Sequence, residues 1–205
     1  MIRAALTPLL FTLLLGSSAL ATAATGTPGE LVETRSSAVL KALYERRDEF
    51  KQDPSELHAF VDAQLSGLFD REYSARLVLA RHARGADAKD VSAFAEALTT
   101  NLLRRYGDAL LDVDPGLKVS VKAETPLRDG KIIRVSTEIL RRAGAAVPVD
   151  YLFHETADGW RAFDVIVEGV SYVQTYRNRF EQPLRTETIP QITARLASGA
   201  FNAEE

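Results

Sequence analysis

Two carboxylates late in the chain have the types and spacing for acid–base chemistry. Asp164 and Glu168 stand four residues apart in a segment that alternates as a strand, which places both on one face with Trp160 and Ile166. A carboxyl group beside apolar surface can keep its proton near neutral pH, so the pair could act as acid and base on a small apolar substrate in a cone-shaped α+β pocket. Two features oppose this reading: Asp164 has abundant arginines to pair with, and Glu168 lies close to the strand end, where water reaches it. His58, His82 and His154 include no pair at the i, i+4 spacing of helical zinc sites, and His154, beside Glu155 on the polar phase of its strand, reads as a solvated edge residue. Metal binding is not expected. The absence of cysteine excludes disulfides, thiolate metal sites and cysteine nucleophiles. The sequence contains no phosphate-cradling glycine loop, dinucleotide fingerprint, nucleophile-elbow serine or EF-hand loop. Tyr176, Arg177, Arg179 and Arg185 could stack on and neutralise a nucleic acid, or could dock an acidic partner, or could be a solvated face. With 25 basic against 28 acidic residues and a net charge of −3, nucleic acid is not expected.

The elements that must position these residues divide the chain in two. From Pro28 to about Leu111 apolar residues recur at helical spacing. Leu31, Val32, Val39, Leu40, Leu43 and Phe50 mark a first helix ending before Asp53-Pro54. Leu57, Phe60, Val61, Leu65 and Leu68 mark a second, begun by Pro54. A shorter helix covers Ser74 to Arg84. A long one, capped by Asp87 or Asp90, carries Val91, Phe94, Ala95, Leu98, Leu102 and Tyr106. After Asp114-Pro115-Gly116 the period changes to two. Strands from Leu117, Ile133, Val147 and Trp160, separated by turn signals such as Arg128-Asp129-Gly130 and Ala157-Asp158-Gly159, form a four-stranded antiparallel meander. Ser171 caps a further helix through Val173, Arg177 and Phe180, and a last helix starts near Pro190. The fold class is α+β, with one sheet face covered by the N- and C-terminal helices.

The chain has 205 residues, 46% of them apolar, enough for one domain with its own core. Residues 1–24 carry Arg3, a leucine-rich run and small-x-small sites at Ala19-Leu20-Ala21 and Ala21-Thr22-Ala23, which read as a cleaved secretory signal. Its run of roughly ten apolar residues falls short of the ~20 that span a bilayer. Residues 25–205 are then a single exported domain, expected in the bacterial periplasm.

The segment from Gly159 to Val173, read Gly-Trp-Arg-Ala-Phe-Asp-Val-Ile-Val-Glu-Gly-Val-Ser-Tyr-Val and continued by Tyr176-Arg177-Asn178-Arg179-Phe180, resembles the signature region of the MlaC family. A second block, Leu77-Val78-Leu79-Ala80-Arg81 followed by Phe94, Leu103, Tyr106 and Gly107, is similar too. The chain departs from the family at Thr186 to Pro190, where relatives usually have a glycine. The resemblance implies a non-enzymatic periplasmic carrier, toluene-tolerance auxiliary component of an ABC system. It would hold a diacyl phospholipid as ligand, with no cofactor, in an apolar cavity between sheet and helices. Such a carrier, a monomer, would shuttle lipid between an outer-membrane lipoprotein–porin complex and an inner-membrane MCE-domain subunit of an ABC transporter, maintaining outer-membrane lipid asymmetry. Apolar pattern alone leaves a filled core and a cavity both open. With the resemblance added, Leu98, Leu102, Tyr106, Val149, Tyr151, Phe153, Val165, Val167, Val170 and Val173 are expected to line or border the cavity. Tyr106, Tyr151 and Tyr176 could each place a hydroxyl at its mouth.

Overall fold

The computed structural model describes residues 26–106, 110–111, 116–142 and 144–200; the expected signal segment, residues 1–24, lies outside them. Helix α1 (Pro28–Glu45) opens with a capping box: the Glu30 N–H donates to Thr27 Oγ1 at 3.3 Å and the Thr27 N–H donates to Glu30 Oε2 at 2.9 Å. The single first helix expected from the sequence is broken at Arg46, and a separate α2 (Arg47–Gln52) follows. The break swings Phe50 into the interior, where it is fully buried, while the Arg46 guanidinium lies 4.4 Å over its ring and donates to Glu49. Asp53 caps α3 (Pro54–Ser66) by accepting from the Ser55 N–H at 2.9 Å. Helix α4 (Arg71–Leu79) starts at Asp70, which accepts from the Tyr73 N–H, and runs into a 3₁₀ turn at Ala80–Ala83. The long α5 spans Ala88–Tyr106.

Strands β1 (Lys118–Leu127), β2 (Ile132–Leu140), β3 (Val147–Thr156) and β4 (Gly159–Val167) form the expected antiparallel meander. A fifth strand, β5 (Val170–Ser171), is added on the β4 edge. It exists because Glu168 and Gly169, with φ of 50° and 83°, make a two-residue hairpin turn where the sequence reading simply ended the strand. Helix α6 (Tyr172–Glu181), a 3₁₀ turn (Pro183–Arg185) and α7 (Ile189–Ala197) complete the chain.

Two bulges set which side chains share a face. Lys122 is the extra residue in β1, and Phe163 the extra residue in β4. One face is polar at its centre, with Lys122–Glu138 at 2.9 Å and Arg134–Asp150 at 3.9 Å. The other carries Val119, Val121, Val135, Ile139, Val149, Tyr151, Phe153, Ala162, Val165 and Val167, as cross-strand pairing dictates. Helix α1 lies against this apolar face. Helices α4 and α6 attach at the β4 edge.

Among the described residues the interior falls into three apolar clusters. The first packs α4, α5, α6 and α7 around Phe94, Phe180 and Ile192. The second gathers Phe50, Leu57 and Val61 of the second and third helices with Leu43, Leu103 and Leu111. The third joins Val32 of α1 to Val135, Phe153 and Ala162 of the sheet.

Candidate functional site

The apolar sheet face is dry at one end and incompletely covered at the other. Val135, Phe153 and Ala162 are fully buried beneath Val32, Leu68 and Phe69. Further along the same strands Val119, Val121, Ile139, Val147, Tyr151, Val165 and Val167 are only half-buried. Valine and isoleucine in a sheet interior are ordinarily closed over, so the helical layer stands off from this end. Thr137, alone among polar side chains deep on this face, satisfies itself by donating to the Val149 carbonyl at 2.8 Å.

Where the C-terminal half of α1 stands away from the start of β1, there is a hollow of about 420 Å³. Glu33, Ser37, Leu40, Lys41 and Tyr44 form one stripe of α1 along its wall, at the i, i+4, i+7, i+8 and i+11 positions that share a helix face. Leu43, Leu110, Leu117 and Val119 supply apolar wall, and Arg47 and Lys118 join Lys41 as basic groups. Val119 belongs both to this wall and to the half-buried sheet face. Tyr44 is 60% exposed. The volume lies within the ~300–1,000 Å³ of small-molecule pockets.

The expected site residues separate into three groups. Val149, Tyr151, Val165 and Val167 stand together on the incompletely covered face, with Val149 3% exposed and the other three half-buried. Burial raises the Tyr151 phenol above its ordinary pKa, with desolvation as the cause. Phe153 shares the face but sits at its dry end. Leu98 and Tyr176 are instead buried in the cluster of α4 to α7, with Leu102 and Val173 packed against it, and Tyr176 stacks on Phe180 at 6.1 Å. The pattern placed Leu98 and Leu102 opposite the strands because the broad apolar face of α5 has one phase for two neighbours; α4 and α7 take it. Val170 is 58% exposed at the β4–β5 turn. Tyr106 ends α5, and its side chain lies outside the described residues. Reasoning from sequence missed Lys41, Tyr44, Arg47 and Lys118. The only trace of them was the α1 stripe on which Lys41 and Tyr44 flank Leu40 and Leu43.

Asp164 and Glu168 do not form a catalytic pair. Asp164, 6% exposed, accepts from Ser171 Oγ at 2.6 Å and from the Val173 N–H at 3.0 Å, which ties the first turn of α6 to β4. Glu168 is exposed in the hairpin turn. The Phe163 bulge also moves Trp160 to the opposite face from Asp164, so the shared surface expected from a period of two does not exist. His154 is not a solvated edge residue. Its ring stacks on Tyr73 at 4.3 Å, meets Phe163 edge-on at 5.6 Å, and its Nε2 is 3.0 Å from Asp70 Oδ2. Among the described residues no three histidine or acidic side chains converge as a metal site, and no helix is long and apolar enough to cross a membrane.

The family model described as MlaC protein matches residues 33–198. The toluene tolerance protein ttg2D of Pseudomonas putida is 26% identical over 175 residues, which is 84% of this chain and 80% of the relative. Among solved structures, the phospholipid-binding protein from Ralstonia solanacearum, determined in complex with a phospholipid, matches with a TM-score of 0.76 at 19% identity and covers 85% of this chain and 97% of that one. At that identity the likeness is one of fold, and it extends the α+β arrangement of sheet and helices across nearly the whole neighbour. With the family match running from within α1 to just beyond α7, the chain belongs to the MlaC family.

Proposed function

We propose that this chain is a periplasmic phospholipid carrier that shelters acyl chains between α1 and the incompletely covered end of the sheet. The observation that carries the reading is the hollow of about 420 Å³ opening beside the half-buried Val119, at the incompletely covered end of a sheet face whose other end is fully buried. The phospholipid bound by the Ralstonia solanacearum neighbour supports it, as does the toluene-tolerance relative. An acyl carbon occupies about the ~30 Å³ that a water molecule takes in the liquid, so the hollow has room for roughly one chain of about 14 carbons. A second chain lies along Val121, Val165, Val167 and Tyr151, with α1 moving off the sheet to admit it.

Energetics favour such a carrier over a tight receptor. Removing acyl chains from water is worth about 0.8 kcal/mol per methylene, on the order of 20 kcal/mol for two chains. Extraction from a bilayer gains almost none of this, because the chains pass from one apolar medium to another. The protein therefore matches the membrane, and transfer takes place in contact with partners that shield the path. Those partners are an outer-membrane lipoprotein–porin complex and an inner-membrane MCE-domain subunit of an ABC transporter. The carrier travels between them as a monomer after its signal segment is removed, and its traffic maintains outer-membrane lipid asymmetry.

Val167→Glu tests the reading. Val167 is half-buried, so the fold tolerates a carboxylate that an acyl chain does not. The purified variant is expected to keep its circular dichroism and melting transition and to recover several-fold less phospholipid than the wild type. Equal lipid recovery with the fold intact would refute the assignment. Val149→Glu is the poorer probe, because Val149 is 3% exposed and a carboxylate there attacks the fold itself.

A further inference from the structure

The hollow is amphipathic, and its polar groups are mostly of one sign. Three of its wall residues are basic, Lys41 and Arg47 from the end of α1 and the start of α2, and Lys118 from the first residue of β1. Among the described residues of the wall Glu33 is the one acid, and Ser37 and Tyr44 supply hydroxyls. In a protein whose net charge is −3, this convergence from separate elements is a local reversal of sign. Lys41 is not committed to its neighbour: Nζ lies 3.8 Å from Glu45 Oε1, with the two side chains 73% and 59% exposed, the geometry of a weak surface pair. Leu40, Leu43, Leu110, Leu117 and Val119 share the wall with these cations.

A ligand that satisfies both parts joins an anion, rich in acceptor oxygens, to a hydrocarbon tail. From this arrangement we infer that Lys41, Arg47 and Lys118 form a subsite for the phosphodiester of a bound phospholipid, holding it at the rim while the tails enter. The inference rests on the carrier reading above and adds to it a fixed orientation for the lipid. Phosphate is common to all phospholipids, so the subsite separates phospholipids from uncharged diacyl lipids and not one phospholipid from another. Charge-assisted contacts of ammonium and guanidinium groups with phosphate oxygens are the recognition chemistry.

The test compares phosphatidylglycerol with diacylglycerol of the same acyl chains, each presented at the same mole fraction in micelles of the uncharged, phosphate-free detergent dodecyl maltoside, with lipid per protein measured after separation. The wild type is expected to take up phosphatidylglycerol in preference to diacylglycerol by roughly tenfold, the sum of several individually weak exposed contacts. The triple variant Lys41→Gln, Arg47→Gln, Lys118→Gln is expected to lose that preference while still loading diacylglycerol and melting at the wild-type temperature. Equal uptake of the two lipids by the wild type, or a preference that survives in the triple variant, overturns the subsite and leaves the carrier reading standing. Uptake of neither lipid overturns both. Exchange of chloride for inorganic phosphate at constant ionic strength is the second arm. Loading is expected to be unchanged, since the free anion has no tail for the apolar wall, and competition by inorganic phosphate would make this a free-anion site and overturn the inference.

Discussion

Tyr151 reports on its surroundings through its own ionisation. Its phenol is raised by desolvation, so the folded chain holds the proton more tightly than the unfolded chain does. A group of this kind contributes stability below its unfolded pKa, near 10, and that contribution is lost as pH rises through the folded value. Wild-type stability, followed by urea unfolding, is expected to fall more steeply above about pH 10 than that of Tyr151→Phe; parallel pH curves would contradict the desolvated placement. Asp164 is a second test at this scale. Removing the acceptor of the Ser171 hydroxyl and the Val173 N–H leaves two part-buried donors unsatisfied, so Asp164→Ala is expected to cost about 1–2 kcal/mol in urea unfolding while lipid recovered per folded protein is unchanged. The sequence showed Asp164 as an ionisable group beside apolar neighbours but not its use, because its partners come from the turn after the hairpin. For His154 the alternation of β3 was read correctly and the environment was not, since nothing local to Glu155 announces that Tyr73 and Asp70 arrive from α4.

The elements were legible wherever their signals are local. Pro54, at the first position of α3, and Ser171, which accepts from the Gln174 N–H at 3.0 Å, mark helix starts within one turn, and the structure starts α3 and α6 there. The break at Arg46 and the two bulges were hidden because cluster packing and sheet twist decide them, not propensity. The same elements fasten the start of α1 to the sheet. Glu124 of β1 accepts from Thr27 Oγ1 at 2.7 Å and from the Gly29 N–H at 3.1 Å, pinning the N-terminus of α1, while the hollow lies beside its C-terminal half. A Cβ at Gly29 would collide with the Glu124 carboxylate. Gly29→Ala is therefore expected to displace the Glu124 carboxylate and to raise hydrogen exchange in the first turns of α1; unchanged exchange there would argue against the pin. Ala80, at φ 50° and ψ −119°, occupies backbone space that suits glycine. Ala80→Gly is expected to raise stability by roughly 1 kcal/mol in the same unfolding assay, and a loss would show that the strain is not there.

Across the whole molecule, three clusters around an incompletely closed interior take the place of one continuous core. The α+β class, the meander and the apolar phase of each strand followed from periods of 3.6 and 2, but a hollow is a statement about distance between layers, which periodicity does not contain. Hence Val165 and Val167, expected at a cavity from phase, stand half-buried on the apolar sheet face but away from the wall of the hollow, while Leu98 and Tyr176, with an equally apolar pattern, lie in the helix cluster. The basic wall of Lys41, Arg47 and Lys118 was beyond reach for the same reason, since Lys41 and Lys118 stand 77 positions apart and only the α1–β1 packing unites them. Native mass spectrometry of the protein purified from its own cell envelope, followed by lipid extraction, bears most directly on the central claim. The expected spectrum shows one diacyl phospholipid per polypeptide, retained under gentle activation and recovered intact; a spectrum of bare polypeptide that also acquires no lipid from vesicles would contradict it.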